Sequence, residues 1–483
     1  MASSAPKDIA RSPSSTVAVI GGGASGALVA AQLLRRSHRR GLRVVVIEPR
    51  SRVGLGLAYS TTDETHRLNV PAGQMGALPR DPGHFVRWAA GCGHEIEGAD
   101  FPPRALYGEY LVRVLDDAER SSLPGITLER VRDEAVGIRI LSSAEPPLAV
   151  VELASGSTVS AAHVVLALGN LPPSDPDVAD RELIESDRYE PDPWDPQLAE
   201  RARGDEKVLL LGTGLTMVDV ALTLNKQPTP ASILTVSRQG LLPQKHRRNL
   251  APPNRWFELP PSEVNLSELI SRIESEVAGA QANGDDWRQV VDALRPYTNR
   301  IWRRLGDEDR EEFVRHLSRR WDAHRHRMAP EIGRTLEVLR ASGRLRLARG
   351  RVEGLRLLSG DEIEVTLEPA EGESASFRVG RLVNCTGPSL DLAGGREPVL
   401  GGLFRDGYVR PGPLGLGLDH DSRGALLDSH GTPSAMLSTI GPLRKGRLWE
   451  TTAMPEIRTQ AFELADKLTA QLEQLAAKSK AAA

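Results

Sequence analysis

The sequence predicts an α/β protein with two parallel-sheet units, a helical insertion and small antiparallel β segments. Three observations predict it. An apolar run, TVAVI, leads into GGGASG and then a helical stretch. A second run, KVLLL, leads into GTGLTMVDVALTL. Around both, apolar strand-like runs alternate with helical ones, which is the pattern of a parallel sheet.

In the first unit, Val17, Ala18, Val19 and Ile20 fit a buried parallel strand. Gly21, Gly23 and Gly26 follow at GxGxxG spacing, and Ala27 to Leu34 reads as a helix. Gly41 ends that region, and Val44 to Ile47 forms a second strand closed by Glu48. Each part has a physical task. Gly21 permits the tight turn, Gly23 lets the backbone approach a pyrophosphate, and Gly26 lets the helix pack close to the strand. Free N–H groups and the positive dipole end of the helix then face the phosphates. An acid roughly 20 residues after the glycines suits a ribose hydroxyl. The stretch is therefore a dinucleotide site.

The bulk properties bound the rest. The chain has 483 residues, enough for two or three domains. It is 40% hydrophobic and 26% charged with a net charge of -3, a globular composition without nucleic-acid bias. Its two cysteines, Cys92 and Cys385, argue for a reducing compartment. They also argue against a flavin disulfide reductase, which needs two nearby cysteines. The polar start, 1–15, reads as a flexible tail rather than a signal peptide, and no apolar run reaches membrane-spanning length. A cytoplasmic location without membrane or nucleic-acid partners is expected.

After Glu48 the chain enters a Gly- and Pro-rich loop holding Tyr59, His66, Asn69, Met75, His84 and Trp88. Its apolar content argues against disorder, and its place after a strand suits a ligand site. A helix begins near Arg104 behind Pro102 and Pro103. Residues 126–160 read as an antiparallel insert of hairpins. HVVLALG is a buried strand ending in Gly169, which lets the chain pass close to a nucleotide. Residues 171–206 read as a linker or crossover.

The second unit repeats the first with changes. Gly212 and Gly214 match the first two glycines, while Met217 takes the third place. Thr216 can cap the helix or donate to a phosphate. The second strand ends at Ser237 and Arg238, and an Arg there suits a 2′-phosphate, favouring NADPH over NADH. Residues 243–345 look mostly helical. His324 and His326 lie two apart and would point to different helix faces, so no metal site is expected. Short strands return from about 345, and Leu382 to Thr386 ends at Gly387 as the earlier strand ends at Gly169. A final amphipathic helix starts near Thr451, Thr452, Pro455 and Glu456, where free N–H groups can stabilise charge on a reduced flavin.

These elements give two Rossmann-like dinucleotide-binding domains, meaning two nucleotide cofactors or one cofactor and a degenerate fold, and the economical pairing is FAD in the first and NAD(P) in the second. The expected boundaries are 16–205 for the first part of the FAD domain and 206–345 for the NAD(P) domain. The latter carries a helical insertion at about 250–335, and 346–483 returns to the FAD domain. Hydride would pass from the nicotinamide to the flavin.

The sequence resembles bacterial FAD/NAD(P)-binding proteins that include a flavin-dependent urate hydroxylase and an aspartate N-monooxygenase. The resemblance rests on VIGGGASG (19–26), HRLNVPAGQMGALPRDPGHFVRW (66–88), FPPRALYGEYL (101–111), LALGNLPP (166–173), LGTGLTMVDVALTL (211–224), SRQGLLPQKHR (237–247), FVRHLSRRWDAHRHRMAPEI (313–332), VNCTGP (383–388) and GRLWETTAMPEIRTQA (446–461). It implies a flavoprotein monooxygenase that hydroxylates a small anionic metabolite with O2 through a flavin C4a-hydroperoxide. Gly21, Gly23, Ser25, Gly26, Glu48, Asn69, Gly169, Gly387, Thr452, Pro455 and Glu456 would serve FAD. His66, Asn69 and Met75 would lie beside the ring. Gly212, Gly214, Thr216, Ser237 and Arg238 would hold NADPH or NADH. Arg80 and Arg444 rank first as substrate-anion contacts, ahead of Arg104, Lys245 and His246. Two other readings stay open: an NAD(P)H-flavin reductase or oxidase, and a non-catalytic FAD/NADPH-binding sensor. Substrate and oligomeric state are not legible.

Overall fold

The computed structural model describes residues 13–202, 206–227, 232–248, 265–389, 392 and 397–482. Most of the expected 1–15 tail, and the start of the helical insertion, lie outside the described residues. The chain divides into two compact units. Residues 1–60, 71–171 and 390–483 form the first, and residues 61–70 and 172–389 the second.

In chain order the strands are β1 (Thr16–Ile20), β2 (Arg43–Ile47), β3 (Thr127–Val131), β4 (Ala135–Leu141), β5 (Leu148–Leu153), β6 (Thr158–Ala161), β7 (His163–Leu166) and β8 (Tyr189–Glu190). They continue with β9 (Lys207–Leu211), β10 (Ser232–Ser237), β11 (Leu345–Leu357), β12 (Ile363–Pro369), β13 (Ala375–Val379), β14 (Arg381–Asn384), β15 (Ala425–Leu427) and β16 (Pro433–Thr439).

The first unit is built on a six-stranded sheet, order β15-β16-β7-β1-β2-β3. β1 runs parallel between β2 and β7 and every residue in it is buried. That double-sided burial is why its sequence is continuously apolar rather than alternating. Each such Val or Ile contributes about 1.5–3 kcal/mol of burial. The helix Ala24–Arg36 packs against helices Arg104–Arg120 and Met454–Ala482. It ends on Arg35 and Arg36, cations placed at its negative dipole end.

One strand departs from expectation. β3 pairs parallel with β2 at the edge of the main sheet, and only β4, β5 and β6 form the antiparallel insert. Its half-exposed pattern is that of an edge strand, and alternation alone does not separate an edge strand from a hairpin.

The second unit has a seven-stranded sheet, order β13-β12-β11-β10-β9-β14-β8. β9 lies parallel between β10 and β14. β11 is the hinge of the sheet. Its first part runs parallel to β10, and its second part turns antiparallel to β12. Residues 172–205 and 346–389, expected with the first unit, therefore belong to the second, because β8 and β11–β14 pair into its sheet. The described part of the insertion is helical from Leu266 to Ala341, with a π-helical turn at Phe313–Leu317. Among the described residues no helix is long and apolar enough to cross a membrane.

Two buried histidines, His163 and His420, and a half-buried one, His246, make acid a weak point. His163 donates from Nδ1 to the Ala435 carbonyl at 3.1 Å, so its Nε2 accepts from the Ser438 hydroxyl at 2.9 Å. Burial pushes His163 down to about 3. Burial, reinforced by nearby arginines, pushes His246 to about 3 and His420 to about 4. An unfolded chain protonates its histidines near pH 6.5 (roughly). The stability these neutral rings confer is thus complete above that pH and is lost as pH falls toward their folded values. Urea midpoints are expected to hold steady from pH 8 to 7 and fall between about pH 6.5 and 4. A His163→Gln variant should show a shallower fall, and an unchanged slope would refute the assignment.

Candidate functional site

Two turns of the same design stand at the C-terminal edges of the two sheets. In the first unit, Gly21 has φ +96, and a Cβ there would lie 2.4 Å from the Ala167 carbonyl oxygen just after β7. A Cβ at Gly26 would lie 1.9 Å from the Gly21 carbonyl oxygen, so only glycine lets the helix start against the turn. The helix Ala24–Arg36 has no side-chain cap and no acid in its first turn. Its first N–H groups are thereby left for an anion.

Glu48 completes this cradle. Its Oε2 accepts from the Gly22 N–H at 2.8 Å and its Oε1 from the Arg50 N–H at 3.1 Å. The carboxylate is 4% exposed and retains lone pairs for ribose hydroxyls. Behind it, Gly54 N–H donates to the Gly22 carbonyl at 2.7 Å. A Cβ at Gly56 would lie 2.9 Å from the Gly23 Cα. Sequence reasoning missed this brace, although the GLG at 54–56 was a visible signal. The residues fit an ADP moiety.

The segment before the C-terminal helix lies beside the first turn. Thr451 donates its hydroxyl to the Gly441 carbonyl at 2.8 Å and accepts from Gln460 Nε2 at 2.9 Å. Gly441 N–H donates to Gln460 Oε1 at 3.0 Å. A Cβ at Gly441 would lie 2.9 Å from Ser25 Oγ. Ser25 on the fingerprint helix and the segment leading to Thr452, Pro455 and Glu456 are thus neighbours. Gly169 has φ +72 and open space around it.

Other candidates fall elsewhere. Met75 is buried and its carbonyl accepts the Tyr107 hydroxyl at 2.8 Å, inside an aromatic cluster of Tyr107, Tyr110, Phe85 and Trp88. Its side chain is buried. Arg444 is also buried, and its Nη2 donates to the Ser422 carbonyl at 3.2 Å. It ties its own loop through that bond. Arg80 is exposed.

His66, Asn69 and Gly387, expected with the flavin group, lie in the second unit. His66 is buried against the helix Leu215–Asn225, with Nε2 3.0 Å from Thr223 Oγ1 and Nδ1 2.8 Å from Thr61 Oγ1. Asp63 beside it pairs with Lys226. Burial acts upward on that carboxyl, but donors from Lys226 and Thr65 outweigh it and hold it at about 2. The Asn69 carbonyl accepts from His246 Nε2 at 3.0 Å. Lys245 pairs with Glu337 at 2.6 Å. Residues 61–70 are thus stitched to the second unit by polar contacts that no local pattern announces.

The second turn mirrors the first. Gly212 has φ +111, and a Cβ there would lie 2.4 Å from the Cys385 carbonyl oxygen just after β14. Gly387 follows β14 at φ +94, as Gly169 follows β7. The helix Leu215–Asn225 again lacks a side-chain cap and a first-turn acid. Met217 at the third fingerprint position is fully buried, so the helix seats a larger residue where the first unit needs glycine. Thr216 lies in the first turn of that helix. The residues fit a second dinucleotide. Ser237 and Arg238 stand at the end of β10, Arg238 exposed. Among the described residues no cluster of three or more metal-ligating side chains occurs.

Comparison with known proteins agrees with this geometry. Residues 18–171 match a family described as FAD-NAD(P)-binding. No curated protein matches the chain. Among solved structures, the ornithine hydroxylase of Pseudomonas aeruginosa superposes with a TM-score of 0.63 at 16% identity, covering 95% of this chain and 99% of that one. The ornithine N-hydroxylase of Kutzneria sp. 744, solved with reduced FAD, NADP+ and L-ornithine, gives 0.59 at 16% identity over 95% and 98%. The bacillithiol disulfide reductase of Staphylococcus aureus gives 0.53 at 11% identity over 94% and 98%. Residues 18–171 thus match an FAD-NAD(P)-binding domain, and the chain shares the two-domain α/β fold of these solved structures.

Proposed function

We propose that this chain is an FAD-dependent, NAD(P)H-consuming monooxygenase of a small anionic metabolite. The observation that carries the proposal is the presence of two glycine cradles in one chain, one closed by buried Glu48 and the other by exposed Arg238. Gly21, Gly23, Gly26 and Glu48 hold the ADP half of FAD. The backbone N–H groups at the start of the helix Ala24–Arg36 take the pyrophosphate, and Glu48 takes the ribose. Gly169 and the 452–456 helix start lie toward the flavin, where the helix dipole favours negative charge. Gly212, Gly214, Thr216 and Arg238 hold the nicotinamide nucleotide. Arg80 is the remaining first-ranked contact for a substrate anion.

When bound, FAD supplies the hydride acceptance and oxygen activation that no side chain here provides. The chain contributes placement and electrostatics. The cysteines favour this chemistry over disulfide reduction. Cys385 is buried with its thiol pushed well up by burial, a setting that suppresses the reactive thiolate.

Purified protein is expected to be yellow and to oxidise NAD(P)H faster when a small amino acid or purine substrate is added, with one hydroxylated product per cofactor consumed. Peroxide released in equal amount to NAD(P)H, whatever acid or purine is present, would favour the oxidase reading. Protein that stays colourless on adding FAD would refute the assignment.

A further inference from the structure

The C-terminal helix Met454–Ala482 carries a polar residue where its spacing calls for an apolar one. Its buried stripe runs through Met454, Ile457, Ala461, Leu464, Ala465 and Leu468. Gln460 lies three residues after Ile457 and four before Leu464, so it falls on that stripe. It is 6% exposed. A buried carboxamide costs stability unless its hydrogen-bonding groups are satisfied. Its partners therefore identify what the position serves.

Those partners close a ring of hydrogen bonds. Gly441 N–H donates to Gln460 Oε1 at 3.0 Å. Gln460 Nε2 donates to Thr451 Oγ1 at 2.9 Å, and the Thr451 hydroxyl spends its single proton on the Gly441 carbonyl at 2.8 Å. One orientation of the amide fits, because the reversed one would set its NH2 group against the Gly441 N–H. Thr451 is 0% exposed, so solvent does not compete for these bonds. What the ring holds is the backbone at Gly441, just past the end of β16, where φ is +78. β16 runs parallel to β7, whose end meets Gly21 of the first turn. Gly441 itself faces Ser25, since a Cβ on it would lie 2.9 Å from Ser25 Oγ. Ser25 stands in the first turn of the helix Ala24–Arg36 and is 6% exposed. Among the described residues its hydroxyl has no hydrogen-bond partner. Its proton is available to an anion seated on the first N–H groups of that helix.

We propose that Gln460 is a positioning residue for the flavin nucleotide. Through Thr451 and Gly441 it holds the backbone against Ser25, so that the serine hydroxyl keeps the place from which it donates to the pyrophosphate. The proposal rests on the reading of the first unit as the FAD seat. Gln460 touches no reacting atom and acts only through the ring. Sequence spacing did not reveal it, because it sits in a helical stripe far along the chain from Ser25 and reaches it only by way of Gly441.

The test uses full-length apoprotein titrated with FAD and followed by flavin fluorescence. Gln460→Met keeps the length of the side chain and removes both of its hydrogen bonds. It is expected to weaken FAD by about tenfold, the worth of one or two buried hydrogen bonds, and to speed hydrogen exchange at the Gly441 amide. Ser25→Ala should weaken FAD as well. In that background Gln460→Met should cost little more, because residues that act through one contact are not additive. Thr451→Val should behave like Gln460→Met, and Thr451→Ser, which keeps the hydroxyl, like wild type. Wild-type FAD affinity in Gln460→Met would overturn the proposal. So would an equal loss with and without the Ser25 hydroxyl, which is what plain structural damage produces. If Gln460→Met does not fold, Thr451→Val against Thr451→Ser decides, and equal FAD affinity in those two would overturn the role of the ring. In each of these cases wild type still binds FAD and the reading of the first unit stands. Wild-type apoprotein that fails to bind FAD would overturn that reading and the proposal with it.

Discussion

Gly26→Ala is expected to yield protein without bound flavin. The added Cβ would sit 1.9 Å from the Gly21 carbonyl oxygen and 3.2 Å from Val19 Cγ1. Both neighbours are fixed by β1, which is locked between β2 and β7, so the backbone has nowhere to yield. The helix start must move off the turn and carry its first N–H groups with it. Overpacking of this kind costs about 1–3 kcal/mol in an ordinary core, and here it also misaligns the phosphate donors. The ratio of flavin to protein absorbance should fall by an order of magnitude or more, with a lower melting temperature. Gly23→Ala is the control. Its Cβ meets Gly56 Cα at 3.4 Å, an ordinary contact, so that variant should stay stable yet bind flavin weakly. Gly26→Ala protein with full flavin content would show that the cradle is not where FAD binds.

Gly212→Ala should separate the two cofactors. Its φ of +111 is strained for alanine, and the new Cβ would lie 2.4 Å from the Cys385 carbonyl oxygen. The distortion falls on the second turn, while the first unit keeps its own sheet. The variant should remain yellow and be reduced normally by dithionite. Anaerobic reduction by NADPH should slow by on the order of a hundredfold, as misplacing a reactant by an ångström does. Wild-type reduction by NADPH would place the nicotinamide elsewhere.

Much of the cradle chemistry was legible because it is local. Strand, turn and helix follow one another within a few residues, and Gly26 is forced by contacts inside that short span, whereas Gly21 and Gly212 meet Ala167 and Cys385 from distant strands. The acid at Glu48 and the arginine at Arg238 follow from strand length alone. The loops were less legible. Met75 and Arg444 look like site residues in sequence, since long polar or soft side chains in glycine-rich loops are ambiguous. Only burial shows that one belongs to an aromatic core and the other to a carbonyl-bonded loop.

By itself, then, the sequence determined that this is an α/β protein with two dinucleotide turns of opposite terminal charge, the second followed by a helical insertion. Those features are written in periods and spacings that act over tens of residues at most. Tertiary structure alone decided the grouping. It paired β14 with β9 and so carried Gly387 to the second turn. It drew residues 61–70, with His66 and Asn69, into the second unit through Thr223, Lys226 and His246. It set β11 beside β10 and so brought Arg349 opposite Ser237. The physical reason is common to all three. Strand pairing and polar stitching join residues far apart in the chain, and nothing in a local pattern encodes which distant partner will complete the hydrogen bonds.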